Sequence, residues 1–314
     1  MIVQLNRMGY EPFIDFLKGI SIIMVIINHG FGSYEKLALF PIWIYQAVPL
    51  FLLIQVFHSY KKKSPHFPKF NKLWNRIVLP FIIVELVFLL LGIFKCSIAE
   101  KEYSIFLLNF IKNGGGGPGS YYIYVYIQFA ILLPLLYKLV NKKYSWIYFI
   151  LLSILIEFVC SLVKFPDYIY RLLFIRYFYL IYLGYIWTTK GIDLNMKNFI
   201  LSVVSIVAIL FLFYKNMDLQ PIVYKTSWMT FHWFAYYLPW ALLPVVFYKL
   251  YQLLSNIKLL SYLIIIVGER SYEIFLFQML VFGLAPTFKY CHIIYFFICF
   301  LPVLIFDYKK VLKL

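Results

Sequence analysis

Charged residues are scarce in this sequence of 314 residues, because Asp, Glu, Lys and Arg together make up only 13% of it. A soluble globular domain usually carries about a quarter charged residues. Cysteine is also rare, and the four cysteines have neither a CxxC nor a Cys/His ligand spacing: Cys96, Cys160, Cys291 and Cys299. The sequence therefore predicts no metal site, and we interpret the cysteines as apolar packing residues.

Apolar residues fill 64% of the chain and occur in long blocks. A membrane span needs about 20 apolar residues, and its backbone must satisfy its own hydrogen bonds, which favours helices. The blocks lack the apolar/polar alternation of a membrane barrel. The sequence thus predicts an all-α polytopic membrane protein with ten spans, at about 13–31, 41–59, 77–94, 121–140, 144–163, 172–189, 198–214, 230–250, 271–288 and 292–308. No internal repeat or linker divides it, so we expect a single domain over residues 1–314.

The basic residues indicate an orientation in the membrane. The formal net charge is +16, and most of the 29 Lys and Arg residues fall on one side when both termini are placed in the cytoplasm. Cytoplasmic loops are enriched in this way, so the charge is a topology signal and does not indicate nucleic-acid binding. We expect a multi-pass protein of a bacterial plasma membrane, in contact with the lipid bilayer.

Two loops differ in composition from the rest. Residues 60–76 form the densest cationic run, which is typical either of a lipid-headgroup anchor or of a site for an anionic cytoplasmic metabolite. Residues 113–122, NGGGGPGSYY, contain four consecutive glycines and predict a flexible turn on the outer side, before the fourth span.

The first span carries ionisable residues that a plain membrane anchor does not need. Asp15 and Lys18 lie three residues apart at its cytoplasmic start, where they can pair on one helix face. His29 lies 14 residues after Asp15, so the two share a stripe about 21 Å long without touching. His29 is either a packed neutral side chain or a general base. Glu85 and Glu157, inside other spans, either support the imidazole or are buried neutral carboxyls.

Two arginines and a histidine lie near the outer ends of predicted spans. Arg171 and Arg176 begin the sixth span, where arginines often extend toward the interface. His232 lies among aromatic residues near the outer end of the eighth span, as in an interfacial aromatic belt.

The first span resembles that of the integral-membrane acyltransferase 3 family, whose members move acyl groups, usually acetyl from acetyl-CoA, onto extracytoplasmic saccharides. In that family the span begins with Asp, an apolar pair, Arg and Gly, and its hydrophobic run ends in His. Asp15, Gly19 and His29 match this order. Lys18 replaces the Arg, which keeps the charge but loses the bidentate fork.

Two further elements follow in the order of the family. A basic pair, Arg-x-x-Arg, precedes the family's third span; here Arg76 matches the second position, and Lys72 stands one residue before the first. An aromatic start to a span that ends in Pro appears here as Tyr121-Tyr122-Ile123-Tyr124, running to Pro134. Tyr126 replaces a Glu of another branch, so the chain looks closer to the stand-alone polysaccharide-modifying branch.

The fourth element of the family is Gly-x-x-Ser-Tyr leading to Leu-x-His. Gly268, Ser271 and Tyr272 match it, but Gln278 occupies the His position. The resemblance therefore supplies no second titrating histidine there.

The resemblance implies an O-acyltransferase that joins a cytoplasmic acyl-CoA to an outside hydroxyl. Lys18, Lys72 and Arg76 would hold the phosphates of the donor, with acetyl-CoA expected, and the acyl arm would run along the stripe between Asp15 and His29. His29 and Asp15 are the expected catalytic residues. His29 would act as general base or form an acyl-histidine, and no metal is implied.

The acceptor implied by the resemblance is an extracytoplasmic or lipid-linked saccharide. It would enter past Tyr121, Tyr122 and His232, and Arg171 or Arg176 would position it if it is anionic. A glycan-biosynthesis complex is a further expected partner.

Two other readings of the sequence stay open. A transporter that exports a saccharide or an acyl compound would also carry ionisable residues at mid-membrane, although such proteins often have inverted repeats. The other is a structural partner of a glycan synthase, whose polar residues would be inert.

Overall fold

The computed structural model of the protein describes residues 7–31, 39–61, 65–98, 102–163, 166–191, 193–214, 235–284 and 292–311. Over these residues the chain is helical and contains no β-strand, which confirms the all-α prediction. The helices are α1 (Arg7–Gly30), α2 (Leu39–Ile42), α3 (Ala47–Tyr60), α4 (Phe70–Leu73), α5 (Leu79–Ile98), α6 (Tyr103–Lys112), α7 (Tyr121–Val140), α8 (Ser145–Leu162), α9 (Asp167–Leu172), α10 (Phe178–Lys190), α11 (Met196–Tyr214), α12 (Leu243–Leu254), α13 (Lys258–Glu269), α14 (Ser271–Leu284), α15 (His292–Ile298) and α16 (Leu301–Val311).

Short irregular turns join some of these helices. Ile44–Gln46 and Phe174–Tyr177 are 3₁₀ turns, and Trp74–Val78 and Leu238–Leu242 are π-helical turns. Pro80 follows the first π-helical turn and Pro239 lies inside the second. Because proline lacks a backbone N–H, a local change of hydrogen-bond register is expected beside it.

Five helical segments are long and apolar enough to cross a membrane: Glu11–Gly30, Leu39–Tyr60, Phe70–Ile98, Tyr121–Val140 and Met196–Tyr214. They correspond to five of the ten predicted spans. Four of the other predictions coincide with apolar helices of 10–17 residues, and the one at 172–189 coincides with α10, which has 13 residues. The chain is thus a helical membrane protein, while ten spans and the positions of both termini remain predictions.

The outer helices present apolar side chains on the surface of the molecule. In α5 these include Ile83, Leu90 and Phe94, and in α11 they include Val207 and Phe211, each more than half exposed. An exposed apolar surface of this extent is unfavourable in water and favourable against lipid. We therefore infer that α5 and α11 lie at the lipid boundary.

The first helix lies at the centre of the bundle. α1 contacts α3, α12, α13, α14 and α15, and 61% of its most apolar stretch is buried, against 17% in α11. Its approach to α13 is backbone to backbone, because a Cβ on Gly19 would overlap the carbonyl of Ile264, and one on Gly268 would overlap the carbonyl of Asp15. The two glycines therefore permit the close contact that fixes α1 against α13.

Candidate active site

A cavity of about 920 Å³ lies in the helix bundle beside α1. At one end it is lined by Lys18 and Lys72, and its lining also includes His29, Tyr121 and Arg176. Lys18 and His29 are 11 residues apart on one helix, which corresponds to about 16 Å along the axis. The cavity therefore joins a cationic end to the histidine of the first span.

His29 lies in the last turn of α1, partly buried, with its ring 6.4 Å from the ring of Phe282 in α14. Its Nε2 faces the glycine-rich loop, since a Cβ built on Gly119 would lie 3.9 Å from that atom. Among the residues that the structure describes, none is hydrogen bonded to the imidazole. The ring is thus held by packing and is open to a ligand in the cavity.

The glycine-rich loop, residues 113–120, folds inward and lines the cavity beside His29. Gly115 and Gly117 have φ values of +120° and +84°, which favour glycine. Phe88 packs so closely on Gly116 and Gly117 that side chains at these positions would overlap it. The sequence predicted a turn here; the structure adds that the turn forms a wall of the cavity.

Two polar side chains anchor this loop. The Gly116 N–H donates to Glu85 Oε2 of α5 at 2.6 Å, and Gln278 Nε2 of α14 donates to the Pro118 carbonyl at 3.2 Å. Gln278 is fully buried. The residue that replaces the family's histidine therefore supports the loop that faces His29.

The three carboxylates considered as partners for His29 lie elsewhere. Asp15 forms an ion pair with Lys18 at 2.8 Å and does not line the cavity, Glu85 binds the glycine-rich loop, and the buried Glu157 accepts a hydrogen bond from Tyr170 at 3.4 Å. A catalytic role for Asp15 stays a prediction. In the structure its carboxylate contacts Lys18.

The cationic end of the cavity brings together side chains from several elements. Lys18 of α1 and Lys72 of α4 line it, whereas Arg76 is exposed in the following π-helical turn and does not. His58 and His66 also line it, and neither was predicted to have a role. The sequence did contain a pattern that indicates His58. It lies three positions after Gln55 on a largely apolar helix, so the two polar side chains share one helix face.

The Gly-x-x-Ser-Tyr element connects this end to α1. Gly268 lets α13 contact the backbone of Asp15, and Ser271 lines the cavity. The Tyr272 hydroxyl donates to the Ile77 carbonyl at 2.6 Å, which ties α14 to the π-helical turn after Lys72. The motif thus positions the elements that carry Lys18 and Lys72.

The other end of the cavity is aromatic and contains two arginines. Tyr121, Tyr122, Arg171 and Arg176 all line it, and the acceptor-binding role that the resemblance implies for them stays a prediction. Gln128 fixes the segment that carries the arginines, since it donates to the Leu172 carbonyl at 2.7 Å and accepts from the Phe174 N–H at 3.0 Å. His232 lies outside the described residues, so its predicted role is not placed.

Two further polar atoms point to a ligand. Asn28 Oδ1 and Gln55 Oε1 are buried, lack a hydrogen-bond partner, and belong to residues that line the cavity. A buried acceptor without a donor costs about 1–3 kcal/mol, so a bound molecule with N–H or O–H groups would be favoured there. The resemblance did not single out either residue.

Comparison with known proteins gives a family. The model of the acyltransferase 3 family, described as an acyltransferase domain, matches residues 11–307. The comparisons with curated proteins and with solved structures gave no match. Since the matched range covers almost the whole chain and includes both His29 and the cationic end of the cavity, the chain belongs to the acyltransferase 3 family and is a membrane acyltransferase.

Proposed function

We propose that the protein transfers an acyl group, with acetyl expected, from a cytoplasmic acyl-CoA to a hydroxyl of an extracytoplasmic or lipid-linked saccharide. The observation that carries this proposal is the single cavity, because it is lined by Lys18 and Lys72 and also by His29, which lies about 16 Å from Lys18 along α1. An acyl-CoA has the same division, with phosphates at one end and a thioester at the end of a long arm.

The polar groups of the cavity suit such a donor. The ammonium groups of Lys18 and Lys72 attract phosphate oxygens at the cationic end. The arm of coenzyme A contains two amide groups, whose N–H groups would satisfy the buried oxygens of Gln55 and Asn28. The thioester then lies beside His29 and the glycine-rich loop.

His29 supplies the acid–base chemistry of the transfer. Its neutral imidazole accepts the proton of the acceptor hydroxyl while the hydroxyl oxygen attacks the thioester carbonyl. The C–O bond of the new ester forms, the C–S bond breaks, and the leaving thiolate takes the proton from the imidazolium. An acyl-histidine route uses the same residue as nucleophile and gives the same products.

The saccharide reaches this point from the aromatic end of the cavity. The rings of Tyr121 and Tyr122 offer apolar faces of the kind on which sugar rings stack. The acceptor hydroxyl and the thioester therefore approach His29 from opposite ends of one cavity.

The experiment that tests the proposal uses purified protein in lipid nanodiscs, radiolabelled acetyl-CoA and a panel of saccharide acceptors. We expect ester formation by the wild type and a loss of at least about 10²-fold for His29→Ala, since general-base catalysis contributes about 10²–10⁴. Transport without ester formation would instead indicate an exporter.

Lys112→Gln is a suitable control for this experiment. Lys112 is exposed and does not line the cavity, so its removal should leave turnover unchanged. Turnover by His29→Ala at the wild-type rate, in protein with an unchanged thermal midpoint, would refute the role of His29.

A further inference from the structure

Arg176 is a buried cation at the aromatic end of the cavity. Its side chain lies in the 3₁₀ turn Phe174–Tyr177, and the residue is only 7% exposed. Arginine keeps its charge in proteins, so it cannot relieve burial by losing a proton. A buried charge is costly unless it is paired.

The side chains that contact the Arg176 guanidinium are uncharged in the described part of the chain. Its guanidinium lies 4.7 Å from the ring centroid of Tyr177 and 5.4 Å from that of Tyr121, and the Tyr236 hydroxyl donates to its backbone carbonyl at 2.6 Å. Cation–π contacts of this kind stabilise a buried cation without neutralising its charge.

No carboxylate in the described part of the chain pairs with this charge. Among the same residues, none is hydrogen bonded to the Arg176 Nε. The buried Glu157 instead accepts from Tyr170. The guanidinium thus keeps unused donors while lining a cavity large enough for a ligand.

Arg176 also lies close to the point of acyl transfer. The ring that it contacts belongs to Tyr121, two residues after Gly119, which faces His29 Nε2. Arg171 adds a second cation near the same ring, at 6.0 Å from the centroid of Tyr121, and is exposed. One arginine is therefore fixed inside the cavity, and the other is accessible at its lining.

We infer that the acceptor is anionic, a saccharide with a carboxylate or phosphate ester near the acylated hydroxyl, and that Arg176 binds this oxyanion with help from Arg171. This deepens the proposed function, since it specifies the substrate class of the same cavity. The planar guanidinium fork matches a carboxylate or phosphate, and charge-assisted hydrogen bonds of this kind are stronger than neutral ones.

The donor's phosphates are another source of the same chemistry. Those phosphates are already accounted for by Lys18, about 16 Å from His29 along α1, and by Lys72. Arg176 instead lies over the ring of Tyr121, which follows the glycine-rich loop beside His29. A test must nevertheless separate an oxyanion of the acceptor from one of the donor.

Binding to the purified protein in nanodiscs provides that test without requiring turnover. The probes are matched pairs of oligosaccharides: an oligouronate and its carboxyl-reduced form, a sialylated oligosaccharide and its carboxyl-reduced form, and a glycerol-phosphate-substituted oligosaccharide and its dephosphorylated form. We expect the charged member of at least one pair to bind about tenfold more tightly, and Arg176→Gln to remove this preference.

Arg176→Lys should retain part of the preference, and Lys112→Gln, a charge removed outside the cavity, should retain all of it. Equal binding of charged and neutral members in every pair would overturn the inference, even if Arg176→Gln failed to fold. Loss of coenzyme A binding in Arg176→Gln, with the oligosaccharide preference intact, would assign the arginine to the donor and also overturn it. A charge preference without any ester formation would leave this inference standing and refute the proposed transfer instead.

Discussion

Glu85 shows at the scale of one residue why a partly buried carboxyl need not be catalytic. Its Oε2 accepts the Gly116 N–H at 2.6 Å, and a Cβ on Gly115 would overlap its carboxylate, so the side chain fits against the glycine-rich loop. The useful property of this side chain is a hydrogen-bond acceptor at a fixed place, which a neutral amide also provides.

We therefore predict that Glu85→Gln keeps most of the activity and that Glu85→Leu lowers kcat about tenfold. The leucine leaves the Gly116 N–H without its acceptor, so the loop beside His29 moves from its position, and a loss of about 1.4 kcal/mol corresponds to tenfold in rate. Steady-state kinetics and thermal midpoints of both variants check this. Equal losses in the two variants would point to an ionised carboxylate as the functional group.

Lys72 and Arg76 are a second case at this scale, because the sequence suggests a pair and the structure separates its members. Lys72 lines the cavity and Arg76 does not. We predict that Lys72→Gln raises the KM for acyl-CoA about tenfold with little change for the acceptor, and that Arg76→Gln has a smaller effect. Initial-rate kinetics with each substrate varied in turn measure both constants.

Lys69→Gln is the matched control for these variants. It removes the same charge from the same segment, but Lys69 is exposed and does not line the cavity. If all three variants raised the KM for the donor alike, the segment would act through its general positive potential and would not contain a specific phosphate site.

At the scale of elements, the contact between α1 and α13 sets the position of the site. Gly268 and Gly19 lie where the two backbones meet, and α14 begins at Ser271, directly after α13. Since Tyr272 then bonds to Ile77, one short stretch of chain holds both α1 and the segment that carries Lys72.

We predict that Gly268→Ala destabilises the protein by about 1–3 kcal/mol, because the added methyl group meets the backbone of Asp15, which cannot turn aside as a side chain could. The thermal midpoint in detergent should fall accordingly. Gly191→Ala is the comparison: no atom lies within 4 Å of a Cβ there, although its φ of +81° adds strain of its own. A smaller fall for Gly268→Ala than for Gly191→Ala would contradict the close contact.

At the scale of the whole molecule, the sequence predicted the class of fold and the location of His29, because both depend on local patterns. Long apolar blocks identify membrane helices, and the spacing of Asp15, Lys18, Gly19 and His29 lies within one helix. The sequence analysis did not predict α6 and α13, because helices of 10 and 12 residues are shorter than a membrane span requires.

The cavity was harder to predict because its walls come from distant parts of the chain. Arg176 lies over Tyr121, 55 positions earlier, and Gln278 bonds to Pro118, 160 positions earlier. No spacing rule within one helix relates such residues. Gln278 appeared in the sequence only as a departure from the family's histidine, and its contact with the loop explains the polar side chain.

The proposed reaction requires that the two ends of the cavity face opposite sides of the membrane, and this can be tested directly. Lys69 follows α3 and Ser104 lies in α6, and both are exposed. With the cationic end in the cytoplasm, Ser104→Cys should react with a membrane-impermeant maleimide in intact cells, and Lys69→Cys should react only after permeabilisation. Both variants are made in a Cys291→Ser background, because Cys291 lies outside the described residues, whereas Cys96, Cys160 and Cys299 are buried. Labelling of this background protein measures the signal to be subtracted. If both introduced cysteines reacted in intact cells, the donor and the acceptor would have to enter from the outer side. Because acyl-CoA is in the cytoplasm, this result would contradict the proposed reaction.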